Sequence, residues 1–172
     1  MQQERTLVRR ATSKDSGVVA SLLLRLLSEL YDPEEYGYRA DTLGPAARTL
    51  LRDGSGYWAF LALAAGGTPV GVITLNECAA VYAFGKFGEI PELYVVPEYR
   101  SAGVGAQLIR AAVEFGRERG WSLLEVGAPE VPKWQRTVEF YSRCGFAVIG
   151  PRMTLYLSTH NNGMQPPAGS GP

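Results

Sequence analysis

The segment from residue 89 to residue 119 constrains the chain more than any other. Residues 89–96 read as a strand that Pro97 stops. After the tight turn Arg100-Ser101-Ala102-Gly103-Val104-Gly105, residues 103–119 read as a helix, ended by Gly120. A helix start leaves several backbone N–H groups unpaired and carries a partial positive charge, so this turn is a candidate phosphate cradle. Gly103 and Gly105 remove side chains that would hold a diphosphate away from the backbone, and Arg100 adds a cation nearby. Other nucleotide sites need Gly-x-x-x-x-Gly-Lys-Ser/Thr, or Gly-x-Gly-x-x-Gly opening an alternating fold, and neither string is present. On its own, so short a motif is more simply a glycine-rich turn joining a strand to a helix.

The rest of the chain supplies the context. Residues 6–9 read as a first strand, and Ser13-Lys14-Asp15-Ser16 offers capping groups ahead of Val18, Val19, Leu22, Leu23, Leu26, Leu27 and Leu30, spaced as one helical face. Residues 31–45 predict a loop and 46–52 a short second helix. Residues 57–65 and 70–77, joined through Gly66-Gly67-Thr68-Pro69, predict a hairpin. Residues 78–87, with Tyr82, Phe84 and Phe87, are read equally as a hairpin extension or as an aromatic substrate wall. A strand over 122–126, a helix over 134–143 and one or two closing strands over 145–157 complete the order. This is an α+β pattern, a mixed sheet covered by helices rather than a regular doubly wound repeat.

At 172 residues and about 150 per domain, one domain is expected, over 1–157, with 158–172 a disordered tail poor in anything to bury. Seventeen Lys plus Arg against seventeen Asp plus Glu leave no net charge, so no global field draws the chain to nucleic acid or an anionic membrane. Two cysteines and one histidine do not make a typical zinc site, and no metal is expected. Residues 1–10 lack the apolar core of a signal peptide, and no apolar run reaches the ~20 residues of a membrane span, so the expected location is the cytoplasm.

Two motifs together resemble the GNAT superfamily of acyl-CoA-dependent N-acyltransferases. Arg100-Ser101-Ala102-Gly103-Val104-Gly105 matches the family's Arg/Gln-x-x-Gly-x-Gly/Ala turn between a strand and a helix. About forty residues on, Phe140-Tyr141-Ser142-Arg143-Cys144-Gly145-Phe146 matches its Phe-Tyr-x-x-x-Gly-Phe helix. The similarity in element order runs from Thr6 to Leu157. Where many members carry an Asn at the start of the second helix and an Ala three residues before the Phe, this chain has Trp134 and Thr137. The resemblance implies a mostly antiparallel mixed sheet whose fourth and fifth strands, 89–96 and 122–126, splay apart to admit the carrier.

It further implies acetyl-CoA as cosubstrate, the amine of a small molecule or peptide as acceptor, and a family habit that allows a homodimer. Carrier contacts would come from the backbone near Val95 and Val96, from Arg100, Ser101, Ala102, Gly103, Val104, Gly105 and Ala106, and from Thr137 and Phe140. The family match makes Tyr141 the general acid, a phenol of pKa ~10 that stays protonated at neutral pH. For the base, Glu92 is preferred over Glu89, with Glu125 on the neighbouring strand and a water chain as alternatives. Side chains alternate along a strand, so Glu89 and Glu92 point to opposite faces unless a bulge near Pro91 intervenes. Tyr31, Asp32, Glu34, Glu35, Tyr36 and Tyr38 form an acidic, aromatic loop suited to a cationic amine, or else a solvated surface loop. His160 is incidental, Cys144 an apolar filler, and Trp58, Trp121 and Trp134 core or rim anchors. The rival reading is a module that binds acyl-CoA without transferring the acyl group.

Overall fold

The computed structural model describes residues 6–32, 36–127 and 131–150. Strand β1 (Leu7–Arg10) leads through a single 3-10 turn into helix α1 (Ser16–Leu30). The turn is tied by the Arg9 guanidinium, which donates to both oxygens of Asp15 at 3.0 and 2.7 Å, and by the Thr12 N–H, which donates to Asp15 at 2.8 Å.

Helix α2 (Ala40–Leu50) starts six residues before the expected 46 and carries Pro45 inside it. Its Leu43, Ala47 and Leu51 recur at helical spacing and sit in or against the core, with α1 as the neighbouring helix. That buried stripe outweighs one missing N–H, so the helix runs through a residue that usually breaks it.

β2 (Tyr57–Leu63) and β3 (Pro69–Ala80) form the expected hairpin, and β4 (Gly85–Ile90) follows a turn at 81–84. The 78–87 segment is therefore a hairpin extension: Phe87 is buried, while Phe84 at the tip is 97% exposed. β5 (Leu93–Val95), α3 (Val104–Glu118), β6 (Leu124–Val126) and α4 (Gln135–Arg143) complete the order, the last three with ends within two residues of those expected. Residues 146–150 are not a strand, Gly145 and Gly150 having φ of 95° and 146°, which breaks an extended run. The remainder of the expected closing strands, 151–157, and the tail lie outside the described residues.

The sheet order is β1-β2-β3-β4-β6, antiparallel except for the parallel pair β4 and β6. The twelve-residue β3 serves two partners on one edge. Its distal half pairs with β4, Asn76 opposite Glu89, and its proximal half pairs with β5, Ile73 opposite Leu93. Three steps along β3 thus match four along the partner, from Glu89 to Leu93, and the extra residue is a bulge at Ile90-Pro91-Glu92. The expectation of one continuous strand over 89–96 is corrected: Pro91 offers no N–H to the ladder and the chain breaks there. β6 pairs with β4 as far as Ile90 opposite Val126, so beyond that point the sheet opens into a notch between β5 and β6, the splay the motifs implied.

Each face of the sheet is covered. On one, α3 packs so closely that a side chain at Gly71 would meet Leu108 at 3.1 Å, beside the aromatic cluster of Trp58, Phe60, Phe115 and Trp121 with centroids 5.0–5.9 Å apart. On the other, α1 brings Val19, Leu22 and Leu23 to the buried set that includes Leu61, Val70 and Val72.

Candidate active site

The bulge decides where the two acidic candidates point. With one residue added between them, Glu89 opposite Asn76 and Glu92 beside Thr74 lie on the same face of the sheet, the one covered by α1. The expectation that alternation sets them on opposite faces is corrected by that insertion. Glu89 also stands opposite Glu125 across the parallel ladder, and the Tyr82 hydroxyl donates to Glu125 at 2.9 Å.

Glu92 is the most enclosed of these carboxyls. The Tyr57 hydroxyl donates to its Oε2 at 3.1 Å, the Thr74 hydroxyl donates to the same oxygen, and the Glu92 N–H donates back to Thr74 Oγ1 at 3.1 Å. Burial pushes the Glu92 carboxyl above the usual carboxylate range, against the pull of both hydroxyls. Sequence reasoning missed Tyr57 and Thr74. Their signal is the register that sets Ala59 against Thr74 and Tyr57 against Asn76, which brings residues 35 and 18 positions away onto one carboxyl.

Along β5 the main chain alternates between its two edges. Val96 N–H donates to Val70 and Glu92 C=O accepts from Thr74, so residues 92, 94 and 96 are committed to β3. The N–H groups of Leu93 and Val95 therefore face the notch, where a further extended chain could pair with them. Of the two expected carrier contacts here, Val95 has its N–H on the open edge and Val96 has not. The Val95 carbonyl, on the same edge, accepts from Arg100 Nε at 2.9 Å.

The turn that follows takes left-handed backbone at two positions. Ser101 has φ 64° and Gly103 φ 81°, both left-handed, with Ala102 between them. Gly103 is the residue before α3 and brings no capping side chain, and a Cβ built on it meets nothing within 4 Å. The N–H groups of Val104, Gly105 and Ala106 thus open α3 uncapped, since the first helical bond runs from Gln107 N–H to Gly103 C=O at 3.1 Å. An anionic diphosphate fits this open, donor-rich end.

Gly105 also makes room for a neighbouring helix. A Cβ there would lie 3.1 Å from the Phe140 ring, so its absence lets α4 dock on the first turn of α3. The Arg100 guanidinium turns to α1, where Nη2 donates to both Glu29 oxygens at 2.7 and 2.8 Å, and stacks 5.5 Å from Tyr94. Its charge is offset by Glu29 rather than left free at the turn. Tyr94, through its hydroxyl, donates to Glu29 at 3.1 Å.

Tyr141 lies on α4 between Phe140 and Phe146, at 5.3 and 5.6 Å. It lines a cavity of about 1130 Å³ with Ala112 and Val113 of α3, Leu124 and Val126 of β6, and Cys144. Burial pushes its hydroxyl up to about 12, with Cys144 adding to the rise. Thr137 is half-buried one turn before it. Glu92 thus approaches from the α1 face, whereas Tyr141 stands with residues of α3 and β6. In the acidic loop, Tyr31, Tyr36 and Tyr38 cluster with centroids 4.8–6.1 Å apart, Tyr36 buried; Glu34 and Glu35 lie outside the described residues. No helix among the described residues is long and apolar enough to cross a membrane.

Residues 20–146 match the family model described as the acetyltransferase (GNAT) family. The chain is 30% identical over 154 residues to the aminoalkylphosphonate N-acetyltransferase of Salmonella typhimurium, covering 87% of this chain and 90% of that one. It is 28% identical over 149 residues to the thialysine N-epsilon-acetyltransferase of Bos taurus, covering 81% and 82%. Among solved structures, an aminoglycoside N-acetyltransferase in complex with CoA superposes with a TM-score of 0.71 at 17% identity, over 91% of this chain and 96% of that one.

Proposed function

Because the chain belongs to the GNAT acetyltransferase family and is an acetyl-CoA-dependent N-acetyltransferase, we propose that it transfers acetyl to the primary amine of a small molecule or peptide by direct attack. The observation that carries this reading is the open edge of β5 followed, after a short turn over residues 97–103, by the uncapped start of α3 at Gly103. Acetyl-CoA supplies the acetyl thioester. Leu93 and Val95 N–H groups hold its extended arm, and the N–H groups around Gly103 to Ala106 hold its diphosphate.

The acceptor arrives as an ammonium and must lose a proton before its lone pair is free. Glu92 takes that proton, its raised pKa making it a better base than an exposed carboxylate. The nitrogen then bonds to the thioester carbonyl carbon as the carbon–sulfur bond breaks, giving the acetamide and the thiolate of CoA. Tyr141 donates a hydrogen bond to the departing sulfur. Full transfer from a hydroxyl at about 12 to a thiolate near ~8.5 would be uphill by about 5 kcal/mol, so the hydroxyl stabilises developing charge rather than surrendering its proton. The thiolate takes its proton from solvent afterwards.

Glu89 and Glu125 add negative charge on the Glu92 face, which suits a cationic acceptor. Relatives named for acting on an aminoalkylphosphonate, thialysine or aminoglycosides support an amine of that size. The test is acetyl-CoA-dependent thiol release across such amines, polyamines and peptide termini, with calorimetry of acetyl-CoA on the wild type and on Gly103→Asp. At least one amine should release thiol, and Gly103→Asp should bind the carrier at least about tenfold more weakly. Tight carrier binding with no thiol release from any amine would leave a binding module, and unchanged affinity of Gly103→Asp would remove the diphosphate site.

A further inference from the structure

We propose that Tyr57 and Thr74 are positioning residues for the Glu92 carboxylate, holding Oε2 with two hydroxyls so that Oε1 is left to receive the acceptor's proton. The proposal rests on Glu92 as the base. Its own ground is a set of contacts that packing does not call for.

Thr74 is fully buried, and its hydroxyl is engaged twice by one residue, accepting from the Glu92 N–H and donating to Glu92 Oε2. The Thr74 N–H donates to the Glu92 carbonyl at 3.0 Å, so the residue after Pro91 is gripped at N–H, C=O and carboxyl by a single strand position. A buried hydroxyl is costly to keep unless it is bonded, and Val would fill the same space. Tyr57 is 9% exposed at the start of β2, where Ser55 Oγ accepts its N–H at 3.1 Å. Phe would serve the packing equally well. Tyr57 instead aims its hydroxyl at Glu92 Oε2, while Oε1 takes no hydrogen bond among the described residues.

The titratable and charged groups on this α1 side of the sheet are Tyr57 from β2, Cys78 from β3, Glu89 from β4, Glu125 from β6, Tyr94 from β5, and Glu29 and Arg25 of α1 and Arg100 against Tyr94. Among these, Tyr57 is the one hydrogen-bonded to the carboxylate. Its own hydroxyl is held well above the usual phenol value by burial first and by the Glu92 charge second, so it stays a donor throughout the working range. Each hydroxyl favours the ionised carboxylate, and deleting either makes Glu92 harder to ionise. The base then picks up a proton at a higher pH, and the acidic limb of the rate profile moves upward.

The experiment is the pH profile of thiol release for the wild type, Tyr57→Phe, Thr74→Val, Thr74→Ser and Glu92→Gln, with circular dichroism as the folding check. Tyr57→Phe and Thr74→Val should shift the acidic limb to higher pH and lower kcat below neutrality by about tenfold. KM for acetyl-CoA should stay within about twofold in both. Thr74→Ser keeps the hydroxyl and should restore the wild-type limb. If Glu92→Gln abolishes the limb while both deletions leave it in place, the positioning role is wrong and the base stands. If Glu92→Gln changes neither rate nor limb, the base assignment fails and this proposal with it. Should Thr74→Val not fold, Tyr57→Phe decides by the same shift.

Discussion

A phenol works in two opposite ways according to where its proton is held, and Tyr141 sits at one extreme. With its hydroxyl pushed up to about 12 by burial, it stays protonated at neutral pH, so in the proposed mechanism its contribution is a hydrogen bond that strengthens as sulfur gains charge. Tyr141→Phe should therefore lower kcat by about 10²-fold and leave the affinity for acetyl-CoA within about twofold, read by steady-state rates beside calorimetry. Equal turnover of the two forms would place the ring among the packing residues, with Phe140 and Phe146. Arg100 gives the contrast. Its motif position suggests a ligand for phosphate, yet its Nη2 is bonded to both oxygens of Glu29, and its Nε is spent on the Val95 carbonyl. Its visible work is to fix the turn against β5 and α1.

Glycines in β4 and α3 make room for the Trp121 ring, which together with Gly116 borders the cavity that Tyr141 lines. A Cβ at Gly88 would lie 2.3 Å from the Trp121 ring and 2.7 Å from Leu124, and one at Gly116 would lie 2.9 Å from the same ring. Trp121 is thus wedged between a strand and a helix that both lack side chains there. Gly88→Ala should cost about 1–3 kcal/mol by overpacking and lower the melting temperature by several degrees, since the ring cannot retreat without lifting Leu124 from the β4–β6 ladder. An unchanged melting temperature would mean that the ring has another place to go. The sequence made part of this legible. Periodicity found α1, Gly120 marked the end of α3, and the Gly103 turn stood out because a glycine pair after a stopped strand is a local signal. The break at Pro91 was only half visible: Pro91 marks a weak ladder, but the shift that turns Glu89 and Glu92 to one face exists only once β3 has chosen both partners. The same long-range register hid Tyr57 and Thr74. Helix α2 was read as starting late because Pro45 speaks locally and the stripe of Leu43, Ala47 and Leu51 speaks only through what it packs against.

At the scale of the molecule, one carboxylate joins parts that the chain separates widely. Glu77 on β3 accepts from Lys86 of β4 at 2.6 Å, and from Arg119 and Trp121, just beyond α3, at 2.9 Å each. The Lys86 bond first and the Trp121 bond second hold the Glu77 carboxyl down to about 2. A carboxyl lowered on folding stabilises the protein above its ordinary pKa, and that stabilisation is lost as the pH falls towards the folded value. The wild type should therefore lose melting temperature between about pH 4.5 and 2. Glu77→Gln should start lower at neutral pH and decline less over that window, and parallel curves would remove Glu77 from the acid response.

The notch beside β5 has a consequence for descent. In the proposed site, what it would offer the carrier is main chain, the N–H groups of Leu93, Val95 and the first turn of α3, and almost any side chains could display them. What would greet the amine is side chains, those of Glu92 and its neighbours and of the tyrosine cluster after α1. A duplicated gene can therefore drift in its choice of amine while its grip on the shared acyl donor stays fixed, and lineages built on this sheet are free to diversify by what they modify rather than by how they are charged.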